Sequence, residues 1–185
     1  MALQDLSSAN LLTVNEATNE KFEEVDAEGG TLLLDNGRRC ESAKYRIPGF
    51  AQGSDSYSSG IHCIRFKVLR GVLFVGIRSR NLPVQPFADG ECRTYIRNSC
   101  TCGWYNNGPS IVHGKLENNG RDMSSNNNDT FVLTLNCDER RLSIMFPNGS
   151  LHDEMEVDLL RTPFPWRFCI EFTRLGGCLS LIYTL

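Results

Sequence analysis

Histidine is scarce in this 185-residue chain, which has only three, at positions 62, 113 and 152. They lie far apart, and no G-x-S-x-G motif is present to mark the nucleophile of a hydrolase. The phosphate-binding patterns G-x-x-x-x-G-K-[ST] and G-x-G-x-x-G are absent as well. These absences predict a protein that is not an enzyme and that needs no nucleotide cofactor.

Long hydrophobic runs and a surplus of basic charge are also missing. The formal net charge is −3, from 19 basic and 22 acidic residues, so a nucleic-acid partner is not expected. No apolar run approaches the roughly 20 residues that a membrane-spanning helix needs. The first residues lack a basic stretch followed by an apolar one, which is the pattern of a secretory signal. We therefore predict a cytoplasmic protein without a membrane partner.

The eight cysteines are the most reactive side chains available. Without a secretory signal, reduced thiols are the better expectation, although an extracellular domain with disulfides stays an alternative. Cys100 and Cys102 form a tight pair, and on a strand they would face the same side. Zinc sites usually combine two such pairs, and no second pair occurs here, so we predict no metal and no cofactor.

The pattern that dominates the chain is an alternation of apolar and polar residues. In GIHCIRFKVL (60–69), apolar side chains recur at every second position, which is typical of a half-buried strand. Turn sequences such as Asn36-Gly37 and Gly176-Gly177 separate the runs. About a dozen short strands at this spacing predict an all-β, antiparallel β-sandwich. The same alternation occurs in TFVLTLNC (130–137), RLSIMF (141–146), FCIEF (168–172) and LSLIY (179–183).

The domain organisation is simple. Residues 1–20 are predicted to form an N-terminal arm or a short helix, because a weak leucine stripe lies between positions 3 and 17. Residues 21–185 show no break in composition and are predicted to be one sandwich domain. The polar stretch 116–129 is expected to be a solvated loop. Trp104 is predicted to lie in the core, because a large ring is best buried between sheets.

Four segments, in order along the chain, resemble the SPRY domain family, also called PRY-SPRY. They cover the chain from about residue 43 to residue 185, and no single one of them is specific alone. The segments are SSGIHCIRFKVLRGVLFVGIRSRN (58–81), CGWYNNGPSIVHGK (102–115), NDTFVLTLNCDERRLSIMFPNGSLHDEMEVDLL (128–160) and TPFPWRFCIEF (162–172).

Within the family, the chain is most similar to the SPRY domains of SPRY-domain SOCS-box proteins. KYRIPGFAQGSD (44–55) resembles their Arg-x-Pro-x-Ala-Gln loop with one residue inserted, and LGGCLSLIYTL (175–185) resembles their closing strand. No SOCS box follows in this sequence, so recruitment of a ubiquitin ligase is not expected from it. The resemblance implies a bent, concanavalin A-like sandwich that binds a short linear peptide or a loop of a partner protein through an edge pocket.

The same resemblance implies a set of partner-binding residues and a biological role. Residues of the pocket loop match in part, whereas the family's Trp-Gly before the last strand is Leu-Gly here, which makes one wall of the pocket thinner. The implied role is that of an adaptor or a substrate-recognition unit in a ubiquitin pathway, and we expect a monomer. The implied partner-binding residues are Arg46, Pro48, Ala51, Tyr95, Leu175 and Gly176.

Two alternatives share the sandwich architecture. A lectin-like, carbohydrate-binding protein would place calcium ligands or exposed aromatic rings on one face, and the asparagine-rich stretch 126–129 offers oxygen ligands without the spacing of a calcium loop. A glycan-active enzyme would need a pair of carboxylates. The acidic residues Asp153, Glu154, Glu156 and Asp158 are the candidates for such a pair.

Overall fold

The computed structural model describes residues 13–26, 29–44, 47–89, 92–118, 122, 130–146, 151–173 and 175–183. Strands make up its regular structure, together with a single-turn 3-10 helix at Asp35–Gly37. None of the helical structure in these ranges is long and apolar enough to span a membrane.

The strands, in chain order, are β1 (Val14–Glu16), β2 (Phe22–Val25), β3 (Thr31–Leu34), β4 (Arg39–Ser42), β5 (Gly49–Gly53), β6 (Ile61–Arg70), β7 (Leu73–Ser79), β8 (Phe87–Asp89), β9 (Cys92–Thr94), β10 (Thr101–Tyr105), β11 (Ser110–Val112), β12 (Lys115–Glu117), β13 (Thr130–Asn136), β14 (Arg141–Met145), β15 (Leu151–Glu156), β16 (Trp166–Phe172) and β17 (Cys178–Ile182).

These strands form two large sheets and one small hairpin. The eight-stranded sheet has the order β15-β14-β13-β6-β17-β4-β3, with β1 beside β6. The seven-stranded sheet has the order β12-β11-β10-β7-β16-β5-β2, and β8 pairs with β9. All pairings are antiparallel except that of β1 with β6. The predicted all-β antiparallel sandwich is therefore confirmed, with more strands than the dozen expected.

The core lies between the two large sheets and contains the alternating apolar residues. On β6, Ile64, Phe66 and Val68 are buried, whereas Arg65 and Lys67 between them are partly exposed. The same alternation holds on β13, where every second residue is buried. Burial of these side chains removes apolar surface from water at roughly 25 cal/mol per Å², which is the main force that holds the sheets together.

Trp104 lies in this core, as predicted. Its ring is almost completely buried, and its Nε1 donates a hydrogen bond to Oδ2 of Asp153, 2.9 Å away. A buried indole needs such an acceptor, because an unsatisfied N–H in the core costs free energy. Trp104 thereby links β10 of one sheet to β15 of the other.

The glycine before Trp104 has a packing role. Gly103 on β10 lies directly opposite Gly76 on β7. A β-carbon on either residue would collide with the backbone of the other strand and would lie 2.7 Å from Cζ of Phe74. The two glycines thus make room for the Phe74 ring, which explains why glycine stands at position 103.

Two central strands depart from the simple alternation. Every residue of β7 and of β16 is buried, so both faces of these strands are covered. A second apolar cluster lies on the outer face of the seven-stranded sheet and includes residues that follow β9. Its buried members are Phe50, Phe74, Tyr95, Ile96, Ile111 and Cys169.

The N-terminal segment is a strand where the structure describes it. Residues 1–12 lie outside the described ranges, and Val14–Glu16 pairs in parallel with Ile61–Cys63 of β6 rather than forming a helix. Glu16 also accepts hydrogen bonds from the guanidinium of Arg65 at 2.7 and 3.1 Å. A strand forms here because residues 61–63 of β6 offer backbone groups beside the end of β17, which covers β6 only from Arg65 onward.

The polar stretch 116–129 begins in a strand rather than in a loop. Leu116 and Glu117 belong to β12, which pairs with β11, and Asp122 forms an isolated bridge with Asn107. The remainder that the structure describes, Asn118, is a bend. Residues 119–121 and 123–129 lie outside the described ranges.

Candidate functional site

Three of the predicted binding residues lie in neighbouring loops at one end of the sandwich. The ring of Phe172, at the end of β16, lies between Gly49 and Gly177, since a β-carbon on either glycine would press against it. The backbone N–H of Ser42 donates to the carbonyl oxygen of Gly177 at 2.9 Å. The loop before β5 and the turn between β16 and β17 are therefore neighbours, which places Pro48 at the same end as Leu175 and Gly176. We call this end, with residues 47–48, 94–96 and 175–177, the loop end.

The loop end exposes apolar surface to water. Leu175 is 53% exposed, and Pro48 is half-buried. Gly176 has a φ of +87°, and a β-carbon built on it would have no heavy atom within 4 Å. An exposed leucine beside an open glycine gives a partner both an apolar contact and close access to the backbone.

Tyr95 joins the loop end through its stacking partner. Its ring stacks on Phe50, with 5.2 Å between centroids, and Phe50 is two residues after Pro48. Both rings are buried, so Tyr95 forms the floor of this region rather than an exposed wall. Aromatic pairs of this kind stabilise by about 0.5–1.5 kcal/mol beyond their burial.

Glu171 of β16 fixes the segment that carries Tyr95. Thr94 Oγ1 donates a hydrogen bond to Oε1 of Glu171 at 2.7 Å, and the backbone N–H of Tyr95 donates to Oε2. Burial raises the pKa of this carboxyl to about 7, against the opposing effect of the hydrogen bonds from Tyr95, Thr94 and Ile96. A carboxylate 77 residues away from Thr94 thus holds the Tyr95 segment on the sheet.

A row of side chains crosses the outer face of the seven-stranded sheet next to the loop end. In register, Phe50 on β5 lies opposite Glu171, Glu171 opposite Phe74, and Phe74 opposite Tyr105 on β10. Phe74 and Tyr105 meet edge to face at 5.8 Å. The sequence reasoning missed all four residues. The uninterrupted apolar run LFVGI of β7 was the available signal, because such runs are typical of strands covered on both faces.

For two of the predicted site residues, the structure describes no side chain at the surface of the loop end. The side chain of Ala51 is buried in the core between the sheets, opposite Ile170 and Val25, so a partner could use only its backbone. Arg46 lies outside the residues that the structure describes. The six-residue assignment as a whole stays a prediction.

The paired cysteines do not face the same side, which corrects the expectation for them. The sulfur of Cys100 accepts from Nη2 of Arg78 at 3.6 Å, on the outer face, whereas Cys102 belongs to the core and contacts Nδ1 of His113 at 3.5 Å. The alternation of side-chain directions does not extend to Cys100, because β10 begins only at Thr101. Burial raises the pKa of Cys102 to about 11, so this thiol is not an activated nucleophile.

No metal centre is formed by the described part of the chain. Among those residues, no group of three or more histidine, cysteine, aspartate or glutamate side chains is arranged to hold an ion. The seven cysteines whose side chains are described are free thiols, and all are buried.

A polar recess lies at the opposite end of the sandwich, near the end of β5. It has a volume of about 290 Å³, and its lining includes Asp55, Tyr57 and His62. The rings of Tyr57 and His62 lie 4.7 Å apart, and the Tyr57 hydroxyl donates to the buried Glu20. None of the predicted binding residues lines this recess.

Comparison with known proteins gives a fold. No protein-family model and no curated protein sequence matches the chain. Among solved structures, the TRIM65 PSpry domain is similar at a TM-score of 0.70 and 14% identity, covering 92% of each chain. The SPRY domain of human HERC1 has a TM-score of 0.64 at 13% identity, covering 86% of this chain and 96% of its own.

A third similar structure is that of stonustoxin, with a TM-score of 0.65 and 11% identity. The match covers 91% of this chain but 27% of the stonustoxin chain. Identities this low establish a common architecture and nothing about activity. The two-sheet topology and these similarities together show that the chain has the fold of a SPRY domain.

Proposed function

We propose that this protein is an interaction module that binds a short linear peptide, or a loop of a partner protein, at the loop end. The observation that supports the proposal is that Gly49, beside Pro48, and Gly177, beside Gly176, both approach the ring of Phe172. Two loops more than 120 residues apart are therefore neighbours, and Leu175 in one of them is 53% exposed. The SPRY fold supports the proposal by analogy, because the family resemblance implies binding through loops at one edge of the sandwich.

The chemistry of the loop end suits an extended segment. Leu175 and Pro48 provide apolar contact, and Gly176 lets a partner backbone approach closely enough to form hydrogen bonds. Arg46, by its place in the sequence before Pro48, supplies a guanidinium for an aspartate or asparagine side chain. The rigid floor of Phe50 and Tyr95 lowers the entropy lost on binding.

The proposal extends to the biological setting. We place the protein in the cytoplasm as a monomeric adaptor that selects substrates for a ubiquitin pathway. The free, buried thiols suit a reducing compartment. The ubiquitin role rests on the SPRY resemblance.

The test uses Leu175→Asp and Arg46→Ala, with Leu160→Asp as the matched control. Leu160 is 95% exposed and lies in the turn before β16, at the other end of that strand from Leu175. Peptides selected from a displayed library on the wild type would be titrated against each variant by fluorescence anisotropy. We expect Leu175→Asp and Arg46→Ala to weaken binding at least about tenfold with nearly unchanged melting temperatures.

Leu160→Asp should bind as the wild type does. The proposal is wrong if both loop-end variants keep their affinity, or if Leu160→Asp loses as much. A glycan array run on the same samples tests the lectin alternative. Specific glycan binding without peptide binding would show that the protein is a carbohydrate-binding protein instead.

A further inference from the structure

Two buried arginines lie side by side on the outer face of the seven-stranded sheet. Arg167 on β16 is directly opposite Arg78 on β7, and Arg78 is directly opposite Thr101 on β10. Residues directly opposite in antiparallel strands project from the same face. All three side chains are buried, and Arg78 is completely inaccessible to solvent.

The hydrogen-bonding capacity of Arg78 is only partly used. Its Nη2 donates to the carbonyl oxygens of Leu82 and Pro83, at 3.2 and 2.9 Å, and to the sulfur of Cys100. Its Nε and Nη1 have no acceptor. The buried hydroxyl of Thr101 has no hydrogen-bond partner either. A guanidinium carries one N–H on Nε and two on Nη1, so three charged donors are unused.

The local charge balance is also incomplete. Across the described residues, Arg78 has no carboxylate within ion-pair distance. Arg167 has Glu23, whose Oε2 is 3.7 Å from Nη2 and which is 56% exposed. Like charges directly opposite on a sheet destabilise it, and a guanidinium cannot lose its proton to avoid the cost. Among the described residues, the positive charge of Arg78 is therefore the one left without a carboxylate.

We propose that Arg78 and Thr101 form a binding site for a carboxylate, brought by an acidic side chain of a partner protein, with Arg167 adding to the positive field. A carboxylate carries the single negative charge that would match Arg78, whereas phosphate carries nearly two. The Phe50 ring borders this position, with its centroid 6.0 Å from Cζ of Arg78. The identity of the carrier as a protein rests on the proposed function, but the site itself does not.

The segment 81–86 covers Nη2 of Arg78, is exposed throughout and forms no strand. Two of its carbonyl oxygens are the neutral acceptors that now hold Nη2, and an ionised carboxylate is a stronger acceptor than either. Leu82 and Val84 expose 39% and 38% of their surfaces beside this position. The site therefore fits an acidic residue flanked by apolar ones.

The test compares wild type, Arg78→Met and, as the matched control, the exposed neighbour Arg80→Met. Thermal unfolding would be followed in acetate, phosphate and chloride at one pH and one ionic strength. Acetate should raise the melting temperature of the wild type and of Arg80→Met more than chloride does, and should leave Arg78→Met unaffected. Two acetylated peptides, Leu-Glu-Leu and Leu-Gln-Leu amides, would also be titrated, and the Glu peptide should bind the wild type at least about tenfold tighter.

Direct observation of the arginine keeps the test decisive if Arg78→Met does not fold. In nitrogen–proton NMR of the wild type, acetate should shift the Nε–H signal of a buried arginine, with saturation. The proposal is overturned if acetate acts no differently from chloride, if Arg78→Met responds like the wild type, if no such signal shifts, or if phosphate acts more strongly than acetate. A positive acetate response with no peptide binding at Leu175 would keep the site and reject the proposed function.

Discussion

Replacing Glu171 with glutamine should remove one pH-dependent contribution to the stability of the protein. The carboxyl of Glu171 is almost fully buried beneath the Tyr95 segment, and burial raises its pKa from 4.5 to about 7. The folded protein therefore binds a proton more tightly than the unfolded chain does. The stabilisation by this proton is complete below about pH 4.5 and is lost as the pH rises through 7.

The magnitude follows from the two pKa values. One pKa unit corresponds to about 1.4 kcal/mol, so the shift from 4.5 to about 7 amounts to about 3.5 kcal/mol. Of this, about 2.5 kcal/mol is lost between pH 5 and pH 8. Glutamine has the shape of the protonated glutamate and does not titrate. Relative to the wild type, Glu171→Gln should gain stability steadily as the pH rises.

The assay is urea unfolding of wild type, Glu171→Gln and the control Glu154→Gln at several pH values from 5 to 8. Glu154 is an exposed residue paired with Arg141 at 2.9 Å. His113, whose pKa is lowered chiefly by burial, changes stability in the opposite direction, but it is common to all three proteins and cancels in the differences. A constant difference between wild type and Glu171→Gln across this range would refute the reasoning.

Two further predictions concern packing. Trp104→Ala should lower the free energy of unfolding by about 3–5 kcal/mol, because it removes a core ring and leaves the carboxylate of Asp153 without its donor; a loss below about 1 kcal/mol in urea unfolding would contradict the core assignment. Gly103→Ala should cost more than about 2 kcal/mol through its collision with Phe74 and the opposite strand, whereas Gly176→Ala should cost about 1 kcal/mol, from its positive φ alone. Equal losses in the two glycine variants, measured by the same method, would show that the close approach at Gly103 is not the cause.

The strands that have one buried face and one solvated face could be predicted from the sequence. The alternation around Phe66 on β6 and Leu133 on β13 records one buried face and one solvated face, and that pattern is local. The burial of both faces of β16 could not be predicted from the sequence. It depends on residues 94–96, which are distant in sequence and are held against the sheet by Glu171. No window of neighbouring residues contains both partners of that contact.

For the candidate binding residues, whose role stays a prediction, the family resemblance indicated loops but not the orientation of each side chain. The resemblance named Pro48 and Leu175 together, and the loops that carry them are neighbours in the structure. The orientation of Ala51 depended on the parity of β5, in which all five residues are buried. Since a shift of one residue exchanges the two faces of a strand, nothing in GFAQG distinguished Phe50 on the outer face from Ala51 in the core.

The pairing of β1 with β6 has a consequence for where the chain can be shortened. Val14–Glu16 supplies hydrogen-bonding partners to Ile61–Cys63, in the position that β17 does not reach. A chain that began at residue 21 would leave this part of β6 as an open edge, with unpaired backbone groups beside partly apolar side chains. Such an edge is a template for strand addition from a second molecule. The short first strand therefore prevents this edge of β6 from pairing with a second molecule.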